Sequence, residues 1–268
     1  MEILYGTVNT AARLMWLYQG LQLKIVGVGN MPAKGGAVVA TNHTGYLDIP
    51  FAGLTSFLHK RNMRFMYKTE MRENPLVKWS FDRMRHIPVD RDYGKESYDQ
   101  AVQMLKEGEL VAVYPETTIS RSFELREFKS GSARMAIDAQ VPIVPVIVWG
   151  SQRIITKGHP KAMGRTKIPI WIEVADPIAP DLPADELMVK LRESMQSKLY
   201  EVQDKYAEKF GPYPPGAFWV PKRLGGGAPS LEEANALDEA EAEAKRAKRA
   251  AARAASEAAQ SKTGGKKH

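Results

Sequence analysis

The feature that most constrains this fold is a series of short apolar, β-branched runs set between stretches of helical periodicity. Ala37-Val38-Val39-Ala40-Thr41, Val111-Ala112-Val113-Tyr114 and Ile143-Val144-Pro145-Val146 are too short for helices. They also lack the apolar–polar alternation of a half-exposed strand, so each reads as a strand buried on both faces. Helical segments are expected at 49–58, from Asn74-Pro75 onward, from Asp92 or Tyr93 to Glu107, and at 130–139. Asn74-Pro75 pairs a capping side chain with proline at the first helical position. Strands alternating with helices predict an α/β class chain: a single domain with a mostly parallel central sheet flanked by helices. Sites in such sheets lie at the carboxyl ends of the strands.

Four segments are expected: an N-terminal helix at 1–22, the main domain at 23–210, a Pro/Gly-rich wrap or linker at 211–230, and a charged Ala-rich tail at 231–268, helical or disordered. In the first, Leu4, Val8, Ala11, Met15 and Tyr18 form one stripe, yet Leu14, Trp16, Leu17 and Leu21 make the helix apolar almost all round. Two readings stand: a helix packed over the domain, or a segment lying in a lipid interface with Trp16 and Tyr18 at headgroup level. A long helix at 184–207 carries Leu187, Leu191, Met195 and Leu199 at helical spacing. The tail is acidic first, then basic, and has no apolar face, which reads as a solvated appendage.

Composition limits the chemistry. With no cysteine, thiol catalysis and a thiolate metal site are excluded. No cluster of His, Asp and Glu has ligand-like spacing, so no metal is expected. The net charge of +7 points to anionic partners, but basic residues are not interleaved with aromatics as nucleic-acid binding requires, so no nucleic acid is expected. The longest apolar run, near 141–149, is broken by two prolines and falls short of the ~20 residues of a spanning helix. Glu2, Asn9 and Thr10 spoil a secretory signal. Lys60, Arg61, Arg64 and Lys68 read either as a solvated helix end or as a patch for an anionic bilayer or a nucleotide phosphate.

The candidate chemistry begins at His43 and Asp48, five residues apart just after the first buried strand. An imidazole accepts a proton near neutral pH, and a carboxylate on its other nitrogen fixes the tautomer and stabilises the imidazolium. Gly45 permits a tight turn that folds Asp48 back to His43. No serine lies near enough in sequence to suggest a protein nucleophile, so the base suits a substrate hydroxyl. Such a pair also occurs in proteins where it does nothing.

Three further stretches follow in order: Arg85-His86-Ile87-Pro88-Val89-Asp90-Arg91, Tyr114-Pro115-Glu116-Thr117-Thr118-Ile119-Ser120, and Val141-Pro142-Ile143-Val144-Pro145-Val146. With Asn42-His43-Thr44-Gly45-Tyr46-Leu47-Asp48, this order resembles the glycerolipid acyltransferase family of the lysophosphatidic acid type. Its blocks read NHxxxxD, a block ending in IDR or VDR, FPEGTRS and VPIxPV, and the resemblance covers about residues 20–180.

The resemblance implies acyl transfer from a thioester, acyl-CoA or acyl-acyl carrier protein, to the free hydroxyl of lysophosphatidic acid, with no cofactor beyond that co-substrate. His43 becomes the general base and Asp48 its orienter. Arg91 and Lys129 become phosphate contacts. Glu116 binds an acceptor hydroxyl or orders its loop. The third block departs from the family: Thr117 replaces a glycine and Ile119 an arginine, so Arg121 is the candidate to supply the guanidinium from a shifted loop. That departure keeps glycerol-3-phosphate open as acceptor. The family also implies a peripheral or monotopic protein on the cytoplasmic face of a membrane. The reading of a different class is a membrane-surface binding protein without catalysis. His86, where the family has small residues, reads as structural.

Overall fold

The computed structural model describes residues 3–90, 94–244, 246 and 247. Among them the strands are β1 (Gln22–Val26), β2 (Ala37–Thr41), β3 (Met63–Lys68), β4 (Ile87–Val89), β5 (Leu110–Val113), β6 (Ile143–Trp149) and β7 (Pro169–Val174). They form one sheet in the order β1-β7-β6-β2-β5-β3-β4. Every pairing is parallel except β6 with β7, so β1 and β7 run against the rest. β2 lies between β5 and β6, with Val39 opposite both Ala112 and Val144. The chain leaves β2 toward β3 on one side and leaves β5 toward β6 on the other. Their carboxyl ends therefore flank a switch point, the place where open α/β sheets take ligands.

Alternation along β2 divides the core. Val38 and Ala40 face a layer made by α4 (Gly94–Lys106), α5 (Gly131–Ala139) and α6 (Ala184–Phe210), while Ala37 and Val39 face α1 (Ile3–Gln19) and α2 (Asp48–Phe57). All five β2 residues are fully buried, which is why the run shows no polar alternation. Leu187, Leu191, Met195 and Leu199 of α6 are fully buried, as their spacing predicts. At the start of α3 (Pro75–Arg83), Asn74 accepts from the N–H groups of Leu76 and Val77. The predicted start of α4 at Asp92 or Tyr93 lies outside the described residues.

α1 departs from its predicted face. Tyr5, Trp16 and Gln19 are buried, whereas Val8, Met15 and Tyr18 of the expected stripe are exposed. Trp16 stacks on Phe51 with ring centroids 4.5 Å apart, so it belongs to the core rather than to a headgroup layer. Tyr5 hydrogen-bonds the Met63 carbonyl at 2.6 Å. The Tyr5 hydroxyl and the Gln19 amide nitrogen donate to backbone carbonyls inside, while Ile3, Leu14 and Leu17 stay out. The basic cluster is also dispersed. Arg64 is buried and paired with Glu109, and Arg61 donates to the carbonyls of Pro32 and Gly108.

His86 is structural. It is buried, stacks on Phe65 and accepts the Phe65 N–H on Nδ1. Burial first, then the Arg64 charge, push its pKa down to about 3. Residues 231–244 form a further helix, α7. Ser230 and Glu233 cap its start reciprocally: the Ser230 N–H donates to Glu233, and the Glu233 N–H donates to the Ser230 hydroxyl.

Candidate active site

At the end of β2 the ladder is continued by a side chain. Asn42 accepts the Val148 N–H and donates to the Val148 carbonyl through its amide, at 2.8 and 3.0 Å. A side-chain amide carries both a donor and an acceptor, so it replaces one strand pair and frees the backbone of His43 to turn out of the sheet. The His43 backbone is then pinned by the segment after β5. Its N–H donates to Glu116 Oε1 at 2.9 Å, and its carbonyl accepts the Ser120 N–H at 2.7 Å.

The turn that follows brings Asp48 back as expected. His43 Nδ1 lies 3.2 Å from Asp48 Oδ2. A carboxylate only accepts, so this contact places the ring proton on Nδ1 and leaves Nε2 as the basic nitrogen. Asp48 is fully buried, and His43 keeps 14% of its side chain exposed. The buried carboxylate is satisfied from several directions. The N–H groups of Thr44 and Gly45 donate to Oδ2 at 2.7 Å, and the Ser151 hydroxyl donates to Oδ1. A Cβ on Gly45 would stand 2.9 Å from the Ile155 carbonyl oxygen, so glycine is needed there for close approach to the segment after β6. That segment clamps the turn: Tyr46 N–H donates to Ile155, and the Thr156 hydroxyl to Thr44.

Tyr114 forms the floor. Its ring lies parallel to the imidazole, with centroids 3.5 Å apart and an interplanar angle of 10°, and its hydroxyl accepts the Ile49 N–H. Glu116 is buried, its second oxygen accepting the Arg126 N–H at 2.9 Å. Burial pushes its pKa up to about 7, against the pull of the Arg126 and His43 amides. Thr117 stands at φ 60°, the left-handed region where a glycine costs nothing. Ile119 is 4% exposed, part of the interior.

The remaining predicted residues fall around this centre unequally. Arg121 lies on the rim, paired with Asp238 at 2.9 Å and Glu241 at 2.7 Å. Lys129 is exposed beside the start of α5, and its N–H donates to the Pro115 carbonyl. Arg91 lies outside the described residues. The sequence reading missed Ser151, Arg126 and Lys157, which lie on the segments that follow β5 and β6, the strands on either side of β2. Ser151 follows β6 by two residues, a position that matters only once β6 is known to lie beside β2. Among the described residues no helix is long and apolar enough to cross a membrane.

Residues 22–149 match the family model described as Acyltransferase. The chain is 26% identical over 187 residues to a 1-acyl-sn-glycerol-3-phosphate acyltransferase of Bacillus subtilis, covering 68% of this chain and 89% of that protein. It is 27% identical to the chloroplastic 1-acyl-sn-glycerol-3-phosphate acyltransferase LPAT1 of Arabidopsis thaliana, covering 67% of this chain and 51% of the relative. The alignment thus spans most of the bacterial relative and about half of the plant one. The fold is similar to that of the crystal structure of the 1-acyl-sn-glycerophosphate (LPA) acyltransferase PlsC from Thermotoga maritima. That match has a TM-score of 0.63 at 23% identity and covers 74% of this chain and 79% of the other.

Proposed function

Because this chain belongs to the acyltransferase family, we propose that it moves a fatty acyl group from a thioester to the free hydroxyl of lysophosphatidic acid, giving phosphatidic acid. The observation that carries the reading is the His43–Asp48 contact, 3.2 Å long with its carboxylate fully buried, at the carboxyl end of β2. In this mechanism His43 Nε2 removes the hydroxyl proton as the oxygen attacks the thioester carbonyl. The tetrahedral intermediate collapses by breaking the carbon–sulfur bond, and the imidazolium returns the proton to the leaving thiolate. A positioned base of this kind contributes ~10²–10⁴-fold. Asp48 acts through His43 as a positioning residue.

Glu116 orders the loop: both its oxygens take backbone N–H groups, from His43 and Arg126. That supports the loop-ordering role over direct binding of an acceptor hydroxyl. Arg121 and Lys129 bind the acceptor phosphate electrostatically, and Arg91 joins them through its match to the second block. The donor is acyl-CoA or acyl-acyl carrier protein. The exposed Ile3, Leu14, Leu17 and Tyr18 of α1 support peripheral contact with a bilayer by burial of apolar surface at the lipid interface; its assignment to the cytoplasmic face rests on the family resemblance.

The test is thiol release from a palmitoyl thioester with lysophosphatidic acid, glycerol-3-phosphate or no acceptor. Release that depends on lysophosphatidic acid and yields phosphatidic acid is the expected result. Release with glycerol-3-phosphate alone assigns the earlier acylation instead, and none with either acceptor, across donors and with lipid added, contradicts the proposal.

A further inference from the structure

The cations on the rim of the His43 site are held by the chain's own carboxylates. Asp238 of α7 takes Arg121 Nε at 2.9 Å, Lys157 Nζ at 2.6 Å and the Arg126 guanidinium. Glu241, one turn on, takes Arg121 Nη2 at 2.7 Å and Lys157 Nζ at 2.9 Å. All three cations sit on segments that build the site. The Arg126 N–H binds Glu116, Arg121 follows the residue whose N–H binds the His43 carbonyl, and Lys157 follows the residue whose hydroxyl binds the Thr44 carbonyl.

We propose that α7 is an internal competitor for the acceptor, its Asp238 and Glu241 carboxylates occupying an anion site of Arg121, Arg126 and Lys157 from which a phosphate monoester displaces them. The ligand class rests on the acyl-transfer reading above; the occupied site does not. Two carboxylates present the charge of one phosphate monoester, about −1.5 to −2 near neutral pH, and their oxygens, like those of phosphate, accept from guanidinium forks. Burial pushes the Asp238 carboxyl up, but the bonds from Lys157 and Arg121 outweigh it and hold the group below its ordinary value.

The helix is built to leave as a unit. Its start is capped by its own Ser230–Glu233 pair, so its first turn needs no hydrogen-bond partner from the body of the domain. Its apolar anchorage is slight: Ala234 is buried, whereas Leu237 is 52% exposed. Docking therefore relies on a network of ion pairs whose side chains are 10–30% exposed, a charge-based hold that an anion can compete for. An anion delivered with an acyl chain and a glycerol backbone has contacts that the carboxylates lack.

The experiment uses the full chain. If α7 occupies the site in nine molecules of ten, the apparent affinity of the acceptor is reduced ~10-fold. Asp238→Asn/Glu241→Gln should therefore lower the KM for lysophosphatidic acid by about that factor and leave kcat unchanged; an unchanged or higher KM overturns the proposal. The chain has no cysteine, so Leu237→Cys carries a single fluorophore. Its anisotropy should fall saturably with glycerol-3-phosphate, stay level with glycerol, and fall less with sodium chloride at equal ionic strength. A flat response to glycerol-3-phosphate overturns the proposal even where acyl transfer proceeds. Saturable release without transfer to any acceptor instead sinks the reaction and leaves the displaced helix standing.

Discussion

At the scale of single residues, the site is a set of backbone and side-chain groups holding one imidazole. Ser151 is the clearest addition to what its sequence motif carries: its hydroxyl donates to Asp48 Oδ1 in a fully buried place. Ser151→Ala should cost about 1–3 kcal/mol, the penalty of an unsatisfied buried acceptor, and lower kcat more than it raises KM. Urea unfolding beside steady-state kinetics checks both. Thr117 holds φ at 60°, so Thr117→Gly should raise stability, by up to ~1 kcal/mol, through relief of that strain. An unchanged or lowered melting temperature contradicts this.

Glu116 carries a signed pH dependence. Its pKa rises on folding from 4.5 to about 7, so the folded state binds a proton the unfolded chain has released. That contribution is complete below 4.5 and is lost as pH climbs through about 7. Against Glu116→Gln, wild-type stability should therefore decline across that window.

At the scale of elements, the sheet and the buried stripe of α6 were legible, and the inward face of α1 was not. Continuous apolar runs such as 37–41 fix a strand buried on both faces whatever lies beside it. Helix faces depend on the neighbours. The inward face of α1 carries Tyr5, Trp16 and Gln19, with Tyr5 and the Gln19 amide donating to remote carbonyls, a matter of tertiary contact that periodicity does not encode. Trp16→Ala should accordingly behave as a core truncation, costing ~3–5 kcal/mol, rather than as loss of a membrane anchor; chemical denaturation distinguishes the two. His86 ties β3 to β4. Its pKa falls from 6.5 to about 3 on folding, so its contribution is present above 6.5 and lost as pH drops toward 3, opposite in sign to that of Glu116. His86→Gln should flatten the acid limb of the stability–pH curve.

At the scale of the whole molecule, the parallel order β6-β2-β5 brings three strand ends together. The His43 pair was readable because both members lie in one turn. Ser151, Arg126 and Lys157 were not, because nothing local marks a residue whose partner is a hundred positions away. The acidic start of the last segment read as solvated for the same reason: its partners are charges on remote loops rather than an apolar face.

The central claim is that His43 Nε2 takes the acceptor's proton. The most direct measurement is acceptor-dependent thiol release by His43→Ala, with circular dichroism and melting temperature matched to wild type. The account predicts a folded protein whose acceptor-dependent rate falls by at least ~10²-fold. A folded variant that keeps a near wild-type rate with lysophosphatidic acid would contradict it.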